Sequence, residues 1–183
     1  MVRHPPHRAP ADRAGAAGRA AAGRLAAGRR APRLQLACVG RLRPPHEAPG
    51  ALYQERVDRL AGLRVDEVAA EPIQRGEDRA RAAEAERLRA RLLPRARRVA
   101  LDPDGRAPAS SEAFARWLER RMDERPVAFL IGGAAGLDAA LAAECDERLS
   151  LGPLTMPHQL ARVVLTEQLY RALTIAAGHP YAH

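Results

Sequence analysis

Three glycine-bearing stretches hold the residues of this chain best suited to chemistry. They are Leu101-Asp102-Pro103-Asp104-Gly105, Gly132-Gly133-Ala134-Ala135-Gly136 and Leu151-Gly152-Pro153-Leu154-Thr155-Met156. Each follows a short apolar run and is expected to leave the carboxyl end of a strand, the edge where open α/β sheets bind ligands. Such loops offer backbone N–H and C=O groups flanked by apolar side chains, a means of holding a small molecule with little charge. The pattern Gly132-Gly133-x-x-Gly136 lacks the spacing of a dinucleotide loop, and no Gly-Lys-Ser/Thr phosphate loop is present. By composition alone, glycines at strand ends are more often tight turns than cofactor loops.

Downstream, Arg162, Glu167, Tyr170, Arg171, His179, Tyr181 and His183 carry the groups able to hold or move a proton. Glu167 and Arg171 are spaced for an i,i+4 ion pair, which competes with any catalytic reading. His158 follows Pro157 in the first turn of an expected helix, where a structural hydrogen bond is the favoured role. No His/Cys grouping has zinc spacing, so no metal is expected. Cys38 and Cys145 are far apart and flanked by apolar residues, as expected of free thiols in a reducing cytosol.

The elements that must position these loops follow from periodicity. Leu34–Val39 reads as a buried strand, and Ala48–Leu60 as a helix with Leu52, Val57 and Leu60 inward. Arg64–Ala70 alternates as a strand, and Arg75–Leu93 is a charged amphipathic helix stopped by Pro94. Arg98–Leu101 is a short strand running into a turn at Asp102–Gly105. Ser110 or Ser111 can cap a helix through Arg121, with Phe114, Trp117 and Leu118 on its core side. Val127–Ile131 is the most apolar strand. Leu137–Ala143 reads as a short helix, Arg148–Leu151 as a last strand, and Pro157–Ala177 as a long terminal helix. Strict alternation of strand and helix predicts an α/β fold, a mainly parallel sheet covered on both faces. The terminal helix is apolar around most of its circumference, so it needs cover on more than one side, and a homodimer is expected to supply it.

The 183-residue length allows one domain with a sizeable core. The net charge of +8 suggests a nucleic-acid binder until it is located. Residues 1–33 hold eight Arg and one Asp, a net of +7, leaving 22 Arg against 21 acidic residues, a net of +1, for the remainder. The basic character therefore belongs to an Ala-, Arg-, Gly- and Pro-rich extension with too few large hydrophobes to build a core, expected to be disordered. It resembles a transit peptide in its Arg content but lacks hydroxyl residues. No apolar run reaches the length of a membrane span, and a cytoplasmic protein is expected.

From Leu34 onward the motifs resemble one family. They are Leu34-Gln35-Leu36-x-x-Val39-Gly40, Leu101-Asp102-x-x-Gly105, Ser111-Glu112-x-Phe114-Ala115 and Phe129-Leu130-Ile131-Gly132-Gly133-x-x-Gly136-Leu137, followed by Leu154-Thr155-Met156-Pro157-His158-Gln159-x-x-Arg162-Val163-x-Leu165-x-Glu167-Gln168-x-Tyr170-Arg171-Ala172 and Gly178-His179-Pro180-Tyr181. In this order they resemble the RlmH family, small SPOUT-class enzymes that methylate N3 of a pseudouridine in a stem-loop of large-subunit (23S) rRNA. The resemblance implies a carboxyl-terminal deep trefoil knot, a homodimer, and S-adenosylmethionine held by Leu101, Gly133, Leu151, Gly152, Pro153, Leu154, Thr155 and Met156. It implies assembled ribosomes as partner. Arg162 faces the same end of its helix as the cofactor run and is read either as a contact to a phosphate or uracil oxygen or as purely structural, while His179 and Tyr181, in a polar tail after the helix, are expected to stack on or hydrogen-bond the flipped base. Two departures stand out: Ala134-Ala135 replaces a polar or bulkier pair, and the chain ends Tyr181-Ala182-His183 where the family commonly has Tyr-His followed by a basic residue. A non-catalytic knotted protein that binds RNA or the ribosome, and a SPOUT enzyme acting on tRNA, are the alternative readings.

Overall fold

Every residue of strand β1 (Leu34–Val39) and strand β4 (Val127–Ile131) is buried, a pattern that requires helices on both faces of the sheet they share. The computed structural model describes residues 31–178. Between and after these strands run α1 (Glu47–Ala61), β2 (Leu63–Val68), a single 3-10 turn at Ile73–Arg75, α2 (Glu77–Arg89), β3 (Arg97–Arg106), α3 (Ser111–Glu124), α4 (Ala139–Ala143), β5 (Glu147–Leu149) and α5 (His158–Ala176). The sheet order is β2-β1-β4-β3-β5 and every adjacent pair is parallel, as the alternation of elements predicts.

The period-two geometry of the strands divides the core. Leu34, Leu36, Val127 and Phe129 point to the face covered by α1, α3 and α5, meeting Val57, Phe114, Leu118, Leu165 and Leu169. Ala37, Val39 and Leu130 point to the opposite face, against Ala85 and Leu88 of α2 and Leu141 of α4. Gln35 is also fully buried, and its amide is satisfied: it donates to Asp66 and to the Arg91 carbonyl (2.8 Å) and accepts from the Leu93 N–H (2.9 Å). Those bonds tie the end of α2 to the sheet.

Caps set the helix starts. The Ser110 hydroxyl accepts from the Ala113 N–H (3.1 Å), and Asp138 accepts from the Leu141 N–H (2.9 Å). Asp138 thereby starts α4 at Ala139, two residues later than periodicity suggests. Two expectations are corrected. Leu52 is 44% exposed; the buried positions of α1 are Gly50, Val57 and Ala61. Gly50 lets Leu42 pack close against α1: an added Cβ would lie 2.2 Å from the Leu42 Cδ1 and 3.6 Å from Val163 of α5. The Asp102–Gly105 turn also proves to be an irregularity inside a longer strand, since Leu101 and Arg106 both pair with Leu149. The turn chemistry is present, with Asp102 accepting from the Asp104 N–H (2.9 Å), but pairing resumes beyond it.

Candidate functional site

The carboxyl ends of β3, β4 and β5 open onto one cleft of about 730 Å³. Of the residues expected to hold a ligand, Leu101, Gly133, Leu151, Gly152, Leu154, Thr155 and Met156 line it; Pro153 is exposed and stands outside the lining. Ile131, Asp102, Ser150, His158 and Ala161 also line the cleft and were not among the expected ligand contacts. Ser150 has a local signal, a hydroxyl two residues before a glycine. Its Oγ donates to the Gly152 carbonyl (2.9 Å) and accepts from the Gly152 N–H (3.2 Å), fixing the turn in which Gly152 adopts φ +137°.

Gly132 and Gly133 of the second loop serve close packing at the cleft wall. An added Cβ on Gly132 would lie 2.4 Å from backbone atoms of Gly136 and Leu137, so the loop could not close on itself. Its closure is marked by the Gly136 N–H donating to the Gly133 carbonyl (3.1 Å). On Gly133 the added atom would meet Glu84 Oε2 and Val39 Cγ1, each at 2.9 Å. Helix α2 thus buttresses this loop from outside the cleft. Arg81 donates to the Ala135 carbonyl (3.0 Å), and one turn later the Glu84 carboxylate lies against Gly133.

Glu84 is 4% exposed and accepts from the Glu71 N–H (2.9 Å), yet no cation lies within ion-pair distance of it among the described residues. Its field falls on His158, a half-buried imidazole at the start of α5. Burial pushes that imidazole below its ordinary pKa, and the Glu84 charge opposes the shift without cancelling it. Across the cleft, Asp102 accepts from Arg148 Nε (2.9 Å).

Arg162 does not line the cleft. It is 4% exposed, pairs with Glu67 of β2 at 2.7 Å and leaves its Nε buried without a hydrogen-bond partner. Glu167 and Arg171 form the i,i+4 ion pair that their spacing suggests, at 2.7 Å. Tyr170 and Tyr53 flank the Arg56 guanidinium, 5.3 and 5.6 Å from the ring centres. Burial raises the Cys38 thiol to about 12 and the Cys145 thiol to about 11, which leaves neither a nucleophile. His179, Tyr181 and His183 lie outside the described residues. Among the described residues there is no group of three or more potential metal ligands, and no helix is long and apolar enough to cross a membrane.

Comparison with known proteins bears on this geometry. Residues 33–183 match a family model described as "Predicted SPOUT methyltransferase". The Ribosomal RNA large subunit methyltransferase H of Gluconacetobacter diazotrophicus is 46% identical over 149 residues, covering 81% of this chain and 95% of the relative. Its namesake from Rhodospirillum rubrum is 48% identical over 153 residues, covering 81% and 97%. The crystal structure of a probable methyltransferase from Bordetella pertussis superposes with a TM-score of 0.52 at 17% identity, over 85% of this chain and 99% of that one, a likeness of fold.

Proposed function

This chain belongs to the SPOUT methyltransferase family, and from that premise we propose that it is an S-adenosylmethionine-dependent enzyme methylating N3 of a pseudouridine in a stem-loop of 23S rRNA, on assembled ribosomes. The observation that carries the reading is the cleft, where three loops converge at strand carboxyl ends and present mostly backbone and apolar groups. The name shared by relatives at 46% and 48% identity supports large-subunit rRNA as the substrate.

The donor set suits S-adenosylmethionine. A cleft of about 730 Å³ is of the size that encloses a small cofactor. Main-chain groups of 132–136 and 151–156 would hold its adenine and ribose, with Leu101, Leu151, Leu154 and Met156 flanking the ring. When bound, it supplies a methyl group already activated on a sulfonium. The chain's own task is to align the target nitrogen with that methyl, exclude water and take up the N3 proton.

The base itself is assigned to Arg162, His179 and Tyr181. His179 and Tyr181 are to stack on or hydrogen-bond the flipped base. Arg162 is proposed to serve that site from behind, its guanidinium held 4% exposed by Glu67 and outside the cleft, fixing α5 beside the target nucleotide. A homodimer with a carboxyl-terminal knot accompanies this reading; the exposure of Leu160 on α5 supports the dimer, and the family resemblance carries the knot. Action in the cytoplasm follows from a ribosomal substrate, and residues 1–33 are held to be dispensable for it.

Mass spectrometry of rRNA from a strain lacking the gene tests the reaction. One pseudouridine in 23S rRNA should lose its methyl group and regain it on complementation; an unchanged rRNA refutes the assignment. Calorimetry with S-adenosylmethionine separates an enzyme from a non-catalytic RNA-binding protein, which would show no affinity. Methyl transfer to free tRNA in place of ribosomes would favour the tRNA reading.

A further inference from the structure

We propose that His158 is the base that accepts the N3 proton of the target pseudouridine, and that Glu84 stabilises the imidazolium so formed. The inference rests on the reaction proposed above and names the proton's destination within it. As the N3–CH₃ bond forms and the donor's methyl–sulfur bond breaks to leave a neutral thioether, the N3–H proton passes to the imidazole, which later releases it to water.

Elimination among the cleft's own groups leads to His158. Of the described residues lining the cleft, Asp102 and His158 carry its carboxylate and imidazole. Asp102 is committed to the Arg148 guanidinium and to the Asp104 N–H. Among the described residues no hydrogen bond holds the His158 ring, whereas its position after Pro157 suggests a structural one. It is the first residue of α5, where the positive end of the helix dipole disfavours a second proton on the ring. Burial acts in the same direction, so the imidazole is neutral and able to accept near physiological pH.

A second, independent observation is the isolated charge of Glu84. A carboxylate with 4% exposure and no cation at ion-pair distance is costly unless a positive charge appears beside it. Its Oε1 accepts from the Glu71 N–H, and Oε2 lies on the side that packs on Gly133, 2.9 Å from where a Cβ there would stand. The charged groups around the cleft are Arg81 and Glu84 from α2, Asp102 from β3, Arg148 from β5, and Arg162 from α5 with its Glu67 partner. Of these, Glu84 packs its carboxylate on Gly133, which lines the same cleft as His158, and its charge favours the protonated imidazole. Protonating His158 therefore creates the missing counter-charge at the moment the base has done its work, which makes Glu84 a positioning residue acting through His158.

The test uses the full chain, ribosomes from a strain lacking the methyl group, and His158→Gln and Glu84→Gln variants. Single-turnover transfer by the wild type should rise with pH through an inflection below the ordinary histidine pKa. His158→Gln should lose roughly 100- to 10,000-fold in rate and lose the inflection, while its calorimetric affinity for S-adenosylmethionine stays unchanged. Glu84→Gln should lower the rate and move the inflection to lower pH. NMR titration of the His158 ring, without donor or RNA, should show the same downward displacement in Glu84→Gln. Full activity in His158→Gln, or a slowed variant that keeps the wild-type inflection, overturns the assignment of the base. An inflection that instead vanishes in His179→Gln or Tyr181→Phe assigns the base to the tail. An unmoved imidazole in Glu84→Gln overturns the role of Glu84. Absence of transfer by the wild type sinks the reaction itself, an outcome distinct from any of these.

Discussion

Arg162 of α5 and Glu67 of β2 are joined by an ion pair of 2.7 Å whose guanidinium is 4% exposed, so the terminal helix is tied electrostatically to the sheet's β2 edge. Removing the carboxylate leaves a buried cation without its partner. Glu67→Gln is expected to lower unfolding stability by about 3 kcal/mol, measured by denaturant melts. A Glu67→Leu/Arg162→Met double variant should recover most of that loss, because two well-packed apolar groups replace the pair. If the double variant is stable but transfers no methyl group, Arg162 has a role in turnover beyond holding the helix. A Glu67→Gln protein as stable as the wild type would show that the pair contributes nothing.

Gly132 and Gly133 predict different severities. An added Cβ on Gly132 meets backbone at 2.4 Å, which cannot move without reopening the loop. On Gly133 it meets Glu84 and Val39 side-chain atoms at 2.9 Å, where rotamer adjustment is available. Gly132→Ala should therefore weaken S-adenosylmethionine binding more than 100-fold, equivalent to about 3 kcal/mol. Gly133→Ala should cost about 1–2 kcal/mol of stability, as overpacking does, with a smaller loss of affinity. Calorimetry and thermal melts on both variants check the ranking, and the reverse order would refute it.

This contrast also shows what could be read from residues alone. The parallel sheet was legible because β1 and β4 are mostly apolar runs followed by glycine, and the Ser110-Ser111 pair marked a helix start, of which Ser110 proves to be the cap. The loops that line the cleft were legible for the same reason, since strand-end glycines mark the sheet's carboxyl edge. Glu84 was not. It sits in a helix with Glu77, Asp78 and Glu86, and nothing local distinguishes it; its burial comes from Gly133, 49 residues later in the chain. Glu67 was hidden in the same way, as one more polar residue in an alternating strand until Arg162 arrives from α5. Leu52 is the opposite case: α1 turns Gly50, Val57 and Ala61 inward and leaves this apolar side chain 44% exposed.

The boundary of the basic extension can be drawn more finely. The Arg33 carbonyl accepts from the Val127 N–H (2.9 Å), and its guanidinium donates to the Met122 carbonyl (2.6 Å), so Arg33 belongs to the sheet's first layer. Removing residues 1–31 should leave the melting temperature and methyl transfer unchanged. Removing 1–33 should cost about 1–2 kcal/mol through the lost hydrogen bonds. A large loss of activity on the shorter cut, at unchanged stability, would make the extension an RNA-binding arm, and steep salt dependence of ribosome binding would accompany it.

The proposed homodimer, with α5 in its interface, predicts the effect of a charge at Leu160, 37% exposed on that helix. Leu160→Glu should shift the sedimenting species from dimer to monomer at micromolar concentration, because a carboxylate in an apolar interface loses hydration without gaining a partner. Cofactor affinity per chain should fall less than transfer activity if the second protomer completes the RNA site. A variant that remains dimeric would move the interface elsewhere.

His158 also makes a statement about stability and pH. Its pKa is lowered on folding, chiefly by burial, so between the folded value and the ordinary value of the unfolded chain the unfolded state binds more protons. Stability should then rise with pH across that window and be fully present above it. As pH falls the contribution is lost, because protonation is easier once the chain opens. The slope from this one group cannot exceed about 1.4 kcal/mol per pH unit. Other groups titrate nearby, so the quantity to compare is the difference between wild type and His158→Gln. That difference should change in favour of the wild type from pH 5 to pH 7 and then level off. A difference flat across the range would mean the imidazole is no less protonated in the folded protein than in the open chain, and His158 would then lack the desolvation assigned to it.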